Sequence, residues 1–149
     1  MKRCHIYLRD EVTYLFCQSE TVFGIWIGCE PMCKLSRDTT SRSLGETVLN
    51  TLQFSQTKIP HPNNLQNVTE GFLNFTGFKS WRAFSKKAFS ISVVFNEVDV
   101  EITPETLDKR GNFEPLSDQA VKCIPQAEEV GKLILNFYAK LKHKNNNEK

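Results

Sequence analysis

The chain has 149 residues, of which 40% are hydrophobic and 24% are charged, so we expect one domain with a core of its own. No apolar stretch reaches the roughly 18–20 residues that a membrane span requires. The first residues also lack the apolar segment of a secretory signal. We therefore expect a single soluble, cytoplasmic domain over residues 1–149, with residues 143–149 frayed.

The first 35 residues predict a meander of strands. The residues around Ile6 alternate between apolar and polar, residues 13–17 are rich in β-formers, and residues 22–28 form a longer apolar run. The predicted turns between these strands lie at residues 10–11 and 18–20.

Helices are predicted in the middle of the chain. Ser43 and Glu46 have the spacing of a capping box, which opens the first helix. A second helix follows a proline-bearing linker and ends at Gly77. Ser80 caps a short third helical turn that carries Trp81.

The second half predicts a hairpin, a loop and a helix. Residues 89–95 and 98–102 alternate between apolar and polar side chains, with a turn at 96–97, and we expect Trp81 to pack on the apolar face of the first strand. Residues 104–125 lack periodicity and read as a long surface loop, and an amphipathic helix follows from about residue 126 to residue 141.

These elements together predict an α+β domain. Its antiparallel sheet is made of the N-terminal meander plus the 89–95/98–102 hairpin, and three to four helices pack on it.

No sequence motif for catalysis is present. Asp99 and Glu101 alternate on one strand face, which is the ordinary outward pattern of a half-buried hairpin. A pair of Cys17 with His5 as nucleophile and base stays open. Cys29 and Cys33 supply only two of the four ligands of a structural zinc site, so we predict free thiols, no metal, no cofactor and no enzymatic activity.

A basic and aromatic segment supports an alternative function. Lys79, Trp81, Arg82, Lys86 and Lys87 combine cations with an aromatic ring, as proteins that bind single-stranded nucleic acids do. The net charge of +2 is far below the strongly basic balance typical of that class. We therefore keep a nucleic-acid-binding module as the alternative and expect no direct contact with nucleic acid.

Acidic residues are concentrated in one part of the chain. Residues 95–129 carry nine acidic and three basic side chains, whereas the parts before and after are net basic. Such a segment is a candidate surface for a cationic partner. The alternative is that these charges are solvated faces of ordinary elements.

Most of the chain resembles a known family, the immunity proteins of bacterial contact-dependent growth inhibition. The resemblance is carried by the runs LGETVLNTLQFSQ (44–56), FTGFKSWRAFSKKAFSISVVFNEVDVEITPE (75–105) and EEVGKLILNFY (128–138). It implies a cytoplasmic protein without catalytic residues, which binds and blocks the C-terminal toxin domain of a large surface effector. In this family the toxins are often nucleases, including RNases that cleave transfer RNA.

A nuclease cleft is electropositive because it holds phosphates, so an inhibitor that covers it should present carboxylates and aromatic rings. We predict that the toxin-binding residues are Glu97, Asp99, Glu101, Glu105, Asp108, Phe113, Glu114 and Asp118. Glu105, Asp108 and Phe113 are expected on the long loop, from which they could reach into a concave site.

Overall fold

One antiparallel sheet forms the frame of the protein in the computed structural model, which describes residues 1–147. Its strands are β1 (Lys2–Arg9), β2 (Val12–Glu20), β3 (Trp26–Ser36), β4 (Phe89–Phe95), β5 (Val100–Leu107), β6 (Phe113–Pro115) and β7 (Val121–Cys123). The helices are α1 (Ser41–Leu52), α2 (Gln66–Thr76), α3 (Trp81–Ser85) and α4 (Ala127–Asn147). The strand order is β3–β2–β1–β4–β5–β6, and β7 also pairs with β5. The predicted α+β class is confirmed.

The first turn of the meander lies where the sequence predicts it. Asp10 and Glu11 join β1 to β2 with φ angles of 52° and 63°, the left-handed conformation of a two-residue hairpin turn. β2 then continues through residues 18–20, so the second predicted turn is wrong.

The chain instead reverses directly after β2, at residues 21–25, and β3 begins after this turn. Thr21 Oγ1 accepts hydrogen bonds of 3.3 Å from the backbone N–H groups of Phe23 and Ile25, which closes the turn. The apolar run 22–28 therefore includes the tip of a hairpin, where Phe23 is 74% exposed.

α1 and α4 cover one face of the sheet and approach each other closely. Glycines make this approach possible: a Cβ at Gly45 would lie 1.7 Å from the Ala127 carbonyl oxygen, and a Cβ at Gly131 would lie 1.7 Å from that of Ser41. The core on this face is aliphatic and includes Ile6, Leu15, Leu44, Val48, Leu52, Ile91, Val93, Ile102, Val130 and Ile134.

α2 and α3 lie on the opposite face, over a cluster of aromatic rings. The cluster consists of Tyr7, Tyr14, Phe16, Phe72 and Phe84, with Trp81, Phe78 and Phe113 packed against it. The prediction that Trp81 packs on the apolar face of residues 89–95 is wrong, because that face of β4 points towards α1 and α4. Trp81 instead contacts Tyr7 and Phe72, with ring centroids 5.8 and 5.7 Å away.

The predicted helix ends are confirmed around α3 and corrected at α1. The Ser80 side chain caps α3 by accepting a hydrogen bond from the Ala83 N–H, and Gly77 ends α2 with a φ of 82°. At α1 the cap is Thr40, whose hydroxyl accepts from the N–H of Ser43. α1 therefore starts at Ser41 and not at the predicted capping box.

Residues 104–125 do not form the predicted loop. β5 extends to Leu107, and β6, a 3-10 turn (Ser117–Gln119) and β7 run back along its outer edge. The hairpin turn before β5 is also longer than expected and covers residues 96–99, where Asn96 Oδ1 accepts from the N–H groups of Val98 and Asp99.

α4 is longer than predicted. It extends to Asn147, so residues 143–147 of the segment expected to fray are helical, and residues 148 and 149 lie outside the described part of the chain. Among the helices of residues 1–147, none is both long and apolar enough to cross a membrane.

Candidate binding surface

The eight predicted binding residues do not form one cluster, because β5 separates them. Glu97 and Asp99 precede this strand, whereas Asp108 follows it. An eight-residue strand is about 25 Å long at its usual rise per residue. The two groups therefore lie at opposite ends of the sheet.

Glu105 lies on β5 and not on a loop, and its carboxylate is engaged inside the protein. Its Oε1 accepts hydrogen bonds of 2.5 Å from His5 Nε2 and from Ser90 Oγ. Burial by itself raises the pKa of this carboxyl, but the hydrogen bonds from His5 and Ser90 and the charges of His5 and Arg3 lower it below its ordinary value. Glu105 thus forms buried hydrogen bonds with His5 and Ser90 on the aromatic face of the sheet.

Asp108 and Phe113 also have internal roles, on either side of the turn between β5 and β6. Asp108 Oδ1 accepts hydrogen bonds from the backbone N–H groups of Arg110 and Asn112, at 2.8 and 2.9 Å. Phe113 lies on β6 and packs against Tyr7 and the other rings of the aromatic cluster. Phe113 is therefore held in the aromatic cluster, and Asp108 uses one carboxylate oxygen to close its own turn.

The remaining acidic residues are spread along the outer edge of the sheet. Glu114 is exposed on β6 and Asp118 is exposed in the 3-10 turn. Glu101 lies opposite Lys122 of β7 in the strand register, and their side chains form an ion pair of 3.9 Å.

Acidic and apolar side chains meet at the end of the sheet where β5 begins. Glu97 and Val98 project from the turn before β5, and Val98 is 77% exposed. Ile124, directly after β7, is 62% exposed. We call the group Glu97, Val98, Asp99, Ile124 and Glu129 the acidic end surface.

Glu129 of α4 belongs to this surface, as the neighbouring thiol shows. Cys123 pairs with Val100 at the start of β5. Burial raises the pKa of Cys123, and the nearby charges of Glu129 and Asp99 raise it further. Asp99 and Glu129 therefore both lie near Cys123, where β7 pairs with the start of β5.

Sequence reasoning missed Val98, Ile124 and Glu129. Val98 was expected to be an inward-facing strand residue, because it continues the alternation of Val100 and Ile102. Two exposed β-branched side chains beside acidic residues resemble an interface core with a polar rim. Only the pairing of β7 with β5 brings Ile124 to the turn, and no local pattern reveals that pairing.

The structure does not support the catalytic pair of Cys17 and His5 that the sequence analysis left open. Cys17 pairs with Cys4 and His5 pairs with Phe16 in the register of β1 and β2. Since neighbouring strand residues point to opposite faces, Cys17 and His5 are separated by the sheet and cannot act as nucleophile and base. Within residues 1–147, no group of three or more potential ligand side chains could hold a metal ion.

Comparison with known proteins identifies the fold. No protein-family model matches the chain, and no curated protein matches it significantly. A solved structure described as a protein of unknown function, NMB0488 from Neisseria meningitidis, matches with a TM-score of 0.71 and 19% identity, over 88% of this chain and 89% of that one. A chain of the CdiA-CT/CdiI toxin and immunity complex from Yersinia pseudotuberculosis matches with a TM-score of 0.68 and 15% identity, over 87% and 92%. At these identities the likeness is one of fold: the chain has the architecture of a protein found in a toxin–immunity complex.

Proposed function

We propose that this chain is an immunity protein that binds and blocks the C-terminal toxin domain of a contact-dependent growth inhibition effector and so protects the producing cell. The observation that carries the proposal is the shared fold with a chain of a toxin and immunity complex, which extends over nearly the whole length of both chains. The sequence resemblance of residues 44–56, 75–105 and 128–138 points independently to the immunity side of such a pair.

The toxin in this proposal is a nuclease, such as an RNase, and the protein acts in the cytoplasm without chemistry of its own. A nuclease cleft attracts phosphates through positive charge. Covering that charge with carboxylates both speeds association and excludes the substrate. Inhibition by occlusion requires only a stable, complementary surface.

The acidic end surface is the part of the molecule that best fits this role. Val98 and Ile124 supply apolar side chains that can be desolvated in the centre of an interface, and Glu97, Asp99 and Glu129 supply the surrounding charge. Asp99 is already fixed by hydrogen bonds with Asn96, so little ordering entropy is lost when it binds. Glu101, Glu114 and Asp118 extend the negative charge along the adjoining edge.

Charge reversal tests this surface. The variant Glu97→Lys/Glu129→Lys should weaken binding to the toxin domain of the cognate effector by about 2 kcal/mol or more, roughly 30-fold in Kd. Most of the change should appear as slower association that depends on the salt concentration, because these charges surround the apolar centre of the surface. Surface plasmon resonance gives both rates, and circular dichroism verifies that the variant is folded.

The matched control is Glu46→Lys/Glu70→Lys, which makes the same change of charge on the exposed faces of α1 and α2. This variant should bind with nearly the parental Kd. If the control loses affinity while the first variant keeps it, the toxin docks near Glu46 or near Glu70, and the proposed surface is wrong.

A further inference from the structure

A groove lined by cations lies between α3 and the turn that joins β5 to β6. Its volume is ≈ 360 Å³. Arg82 and Lys86 line the wall on the α3 side, and Lys109 and Arg110 line the opposite wall. We call these four residues the basic groove. The sequence assigns the last two to the acidic segment, and only the fold brings them opposite α3.

The four cationic side chains are without partners in the described part of the chain. None of them takes part in the ion pairs or side-chain hydrogen bonds of residues 1–147. The carboxylate that lines the groove is Asp108, and its Oδ1 is occupied by two backbone N–H groups. Four cations thus line the groove with one carboxylate, and the groove keeps an excess of positive charge.

Both walls are held in place before any ligand binds. Trp81 Nε1 donates a hydrogen bond of 2.8 Å to the carbonyl oxygen of Gly111, which ties α3 to the opposite turn. The turn itself is closed by Asp108, and Gly111 takes the left-handed conformation, with a φ of 88°. Preorganisation of this kind lowers the entropic cost of binding.

The positive charge continues beyond the groove. A second cavity, of ≈ 330 Å³, adjoins it and shares Lys86, and it is also lined by Lys144 of α4 and by the carboxylate of Glu105, which is hydrogen-bonded to His5 and Ser90. The cations thus follow a path from the β5–β6 turn past α3 to α4. Cations that line two adjoining cavities suit an extended ligand with repeated negative charges better than a single carboxylate.

We propose that the basic groove binds the phosphodiester backbone of a single-stranded nucleic acid. The guanidinium groups of Arg82 and Arg110 have the planar fork that pairs with phosphate oxygens in a bidentate way, and the two lysines add point charges. Trp81 does not stack on bases here, because its ring packs in the aromatic cluster and its N–H is engaged, so binding is independent of sequence.

This site is separate from the surface proposed for the toxin. The acidic end surface lies where β5 begins, whereas the basic groove lies where β5 ends. Their opposite charges also suit different partners: a cationic nuclease cleft would be repelled by the groove. The two sites can therefore be tested independently.

The direct test is fluorescence anisotropy with a fluorescein-labelled, single-stranded RNA 12-mer of mixed sequence, titrated at several salt concentrations. For a single strand, log K falls with log salt by about 0.7 for each phosphate contact, so four contacts predict a slope of about −3. The variant Lys109→Ala/Arg110→Ala should reduce the steepness of this slope by about 1.4 and weaken binding about tenfold at low salt.

The matched control is Arg42→Ala/Lys132→Ala, which removes one arginine and one lysine from exposed positions on α1 and α4. It should leave both the affinity and the slope nearly unchanged. Equal losses in the two variants, or no RNA binding by the parent protein, would overturn the proposal. Binding of a fluorescein-labelled polyglutamate peptide that depends on Lys109 and Arg110, without binding of RNA, would overturn it too and assign the groove to an acidic protein.

Discussion

Glu105 joins three strands of the sheet through one carboxylate oxygen. It lies on β5 and accepts hydrogen bonds from Ser90 on β4 and from His5 on β1. Because this group is shielded from water, loss of the carboxylate charge replaces its charge-assisted hydrogen bonds by weaker neutral ones. The residue therefore contributes to the stability of the fold, whichever surface binds a partner.

Substitution of Glu105 by Gln should lower the free energy of unfolding by about 1–3 kcal/mol at pH 7. The pKa of this carboxyl is lowered from its ordinary value of 4.5 by folding, so its contribution is complete above about pH 5 and is lost as the pH falls through the folded-state value. Urea denaturation at pH 7 and pH 3 should therefore show a difference between parent and variant that shrinks at the lower pH.

Glu114→Gln is the control, because this glutamate is exposed on the neighbouring strand β6. It should change the free energy of unfolding by less than about 0.5 kcal/mol. Equal stability of parent and Glu105→Gln at pH 7 would show that the His5 and Ser90 contacts contribute nothing.

Pro104 explains why the sequence placed Glu105 on a loop. A proline lacks the N–H of a central strand and normally predicts the end of that strand. Here Pro104 faces the gap between β6, which pairs at Glu105, and β7, which pairs at Ile102. Its carbonyl accepts from the N–H of Leu116, and its missing N–H costs no ladder hydrogen bond. The alternation of side chains in this strand was predictable, but its length was not.

At the scale of elements, the sequence reveals turns and helix caps, which depend on neighbouring residues, but not the contacts between helices. The turn at residues 10–11, the cap at Ser80 and the helix end at Gly77 depend on contacts within a few residues, and the position of each was predicted correctly. The crossing of α1 and α4 depends on two glycines that a local reading treats only as weak helix formers. Their importance arises from the backbone of the partner helix.

Substitution of Gly45 or Gly131 by Ala should destabilise the protein by about 3 kcal/mol or more, although alanine favours helices. The added Cβ would lie 1.7 Å from a carbonyl oxygen of the facing helix, so the helices must move apart and the core beneath them loosens. Thermal and urea denaturation measure the loss.

Gly71→Ala provides the control within α2, where a Cβ would meet no atom within 4 Å. This variant should be more stable than the parent by about 0.5–1 kcal/mol, from helix propensity alone. Similar effects of all three substitutions would contradict the close packing of α1 against α4.

At the scale of the whole molecule, the sheet rearranges the charges that are adjacent in sequence. Residues 97–118 read as one acidic surface, yet β5 carries its two ends apart, and Lys109 and Arg110 join the cations of α3 instead. Conversely, Ile124 and Glu129 are far from Asp99 in the sequence, and the pairing of β7 with β5 brings them close to it. The fold class was predictable from periodicity, whereas the composition of the candidate surfaces depends on long-range strand pairing.

Toxin neutralisation is the central claim, and a stoichiometric inhibition assay tests it most directly. The purified protein is titrated into a fixed concentration of the nuclease toxin domain of the cognate effector, with transfer RNA as the substrate and cleavage followed on gels. We predict that activity falls linearly and vanishes at one equivalent, as expected for a complex with a Kd in the nanomolar range. Undiminished cleavage in the presence of a large excess of the folded protein would contradict the proposed immunity function.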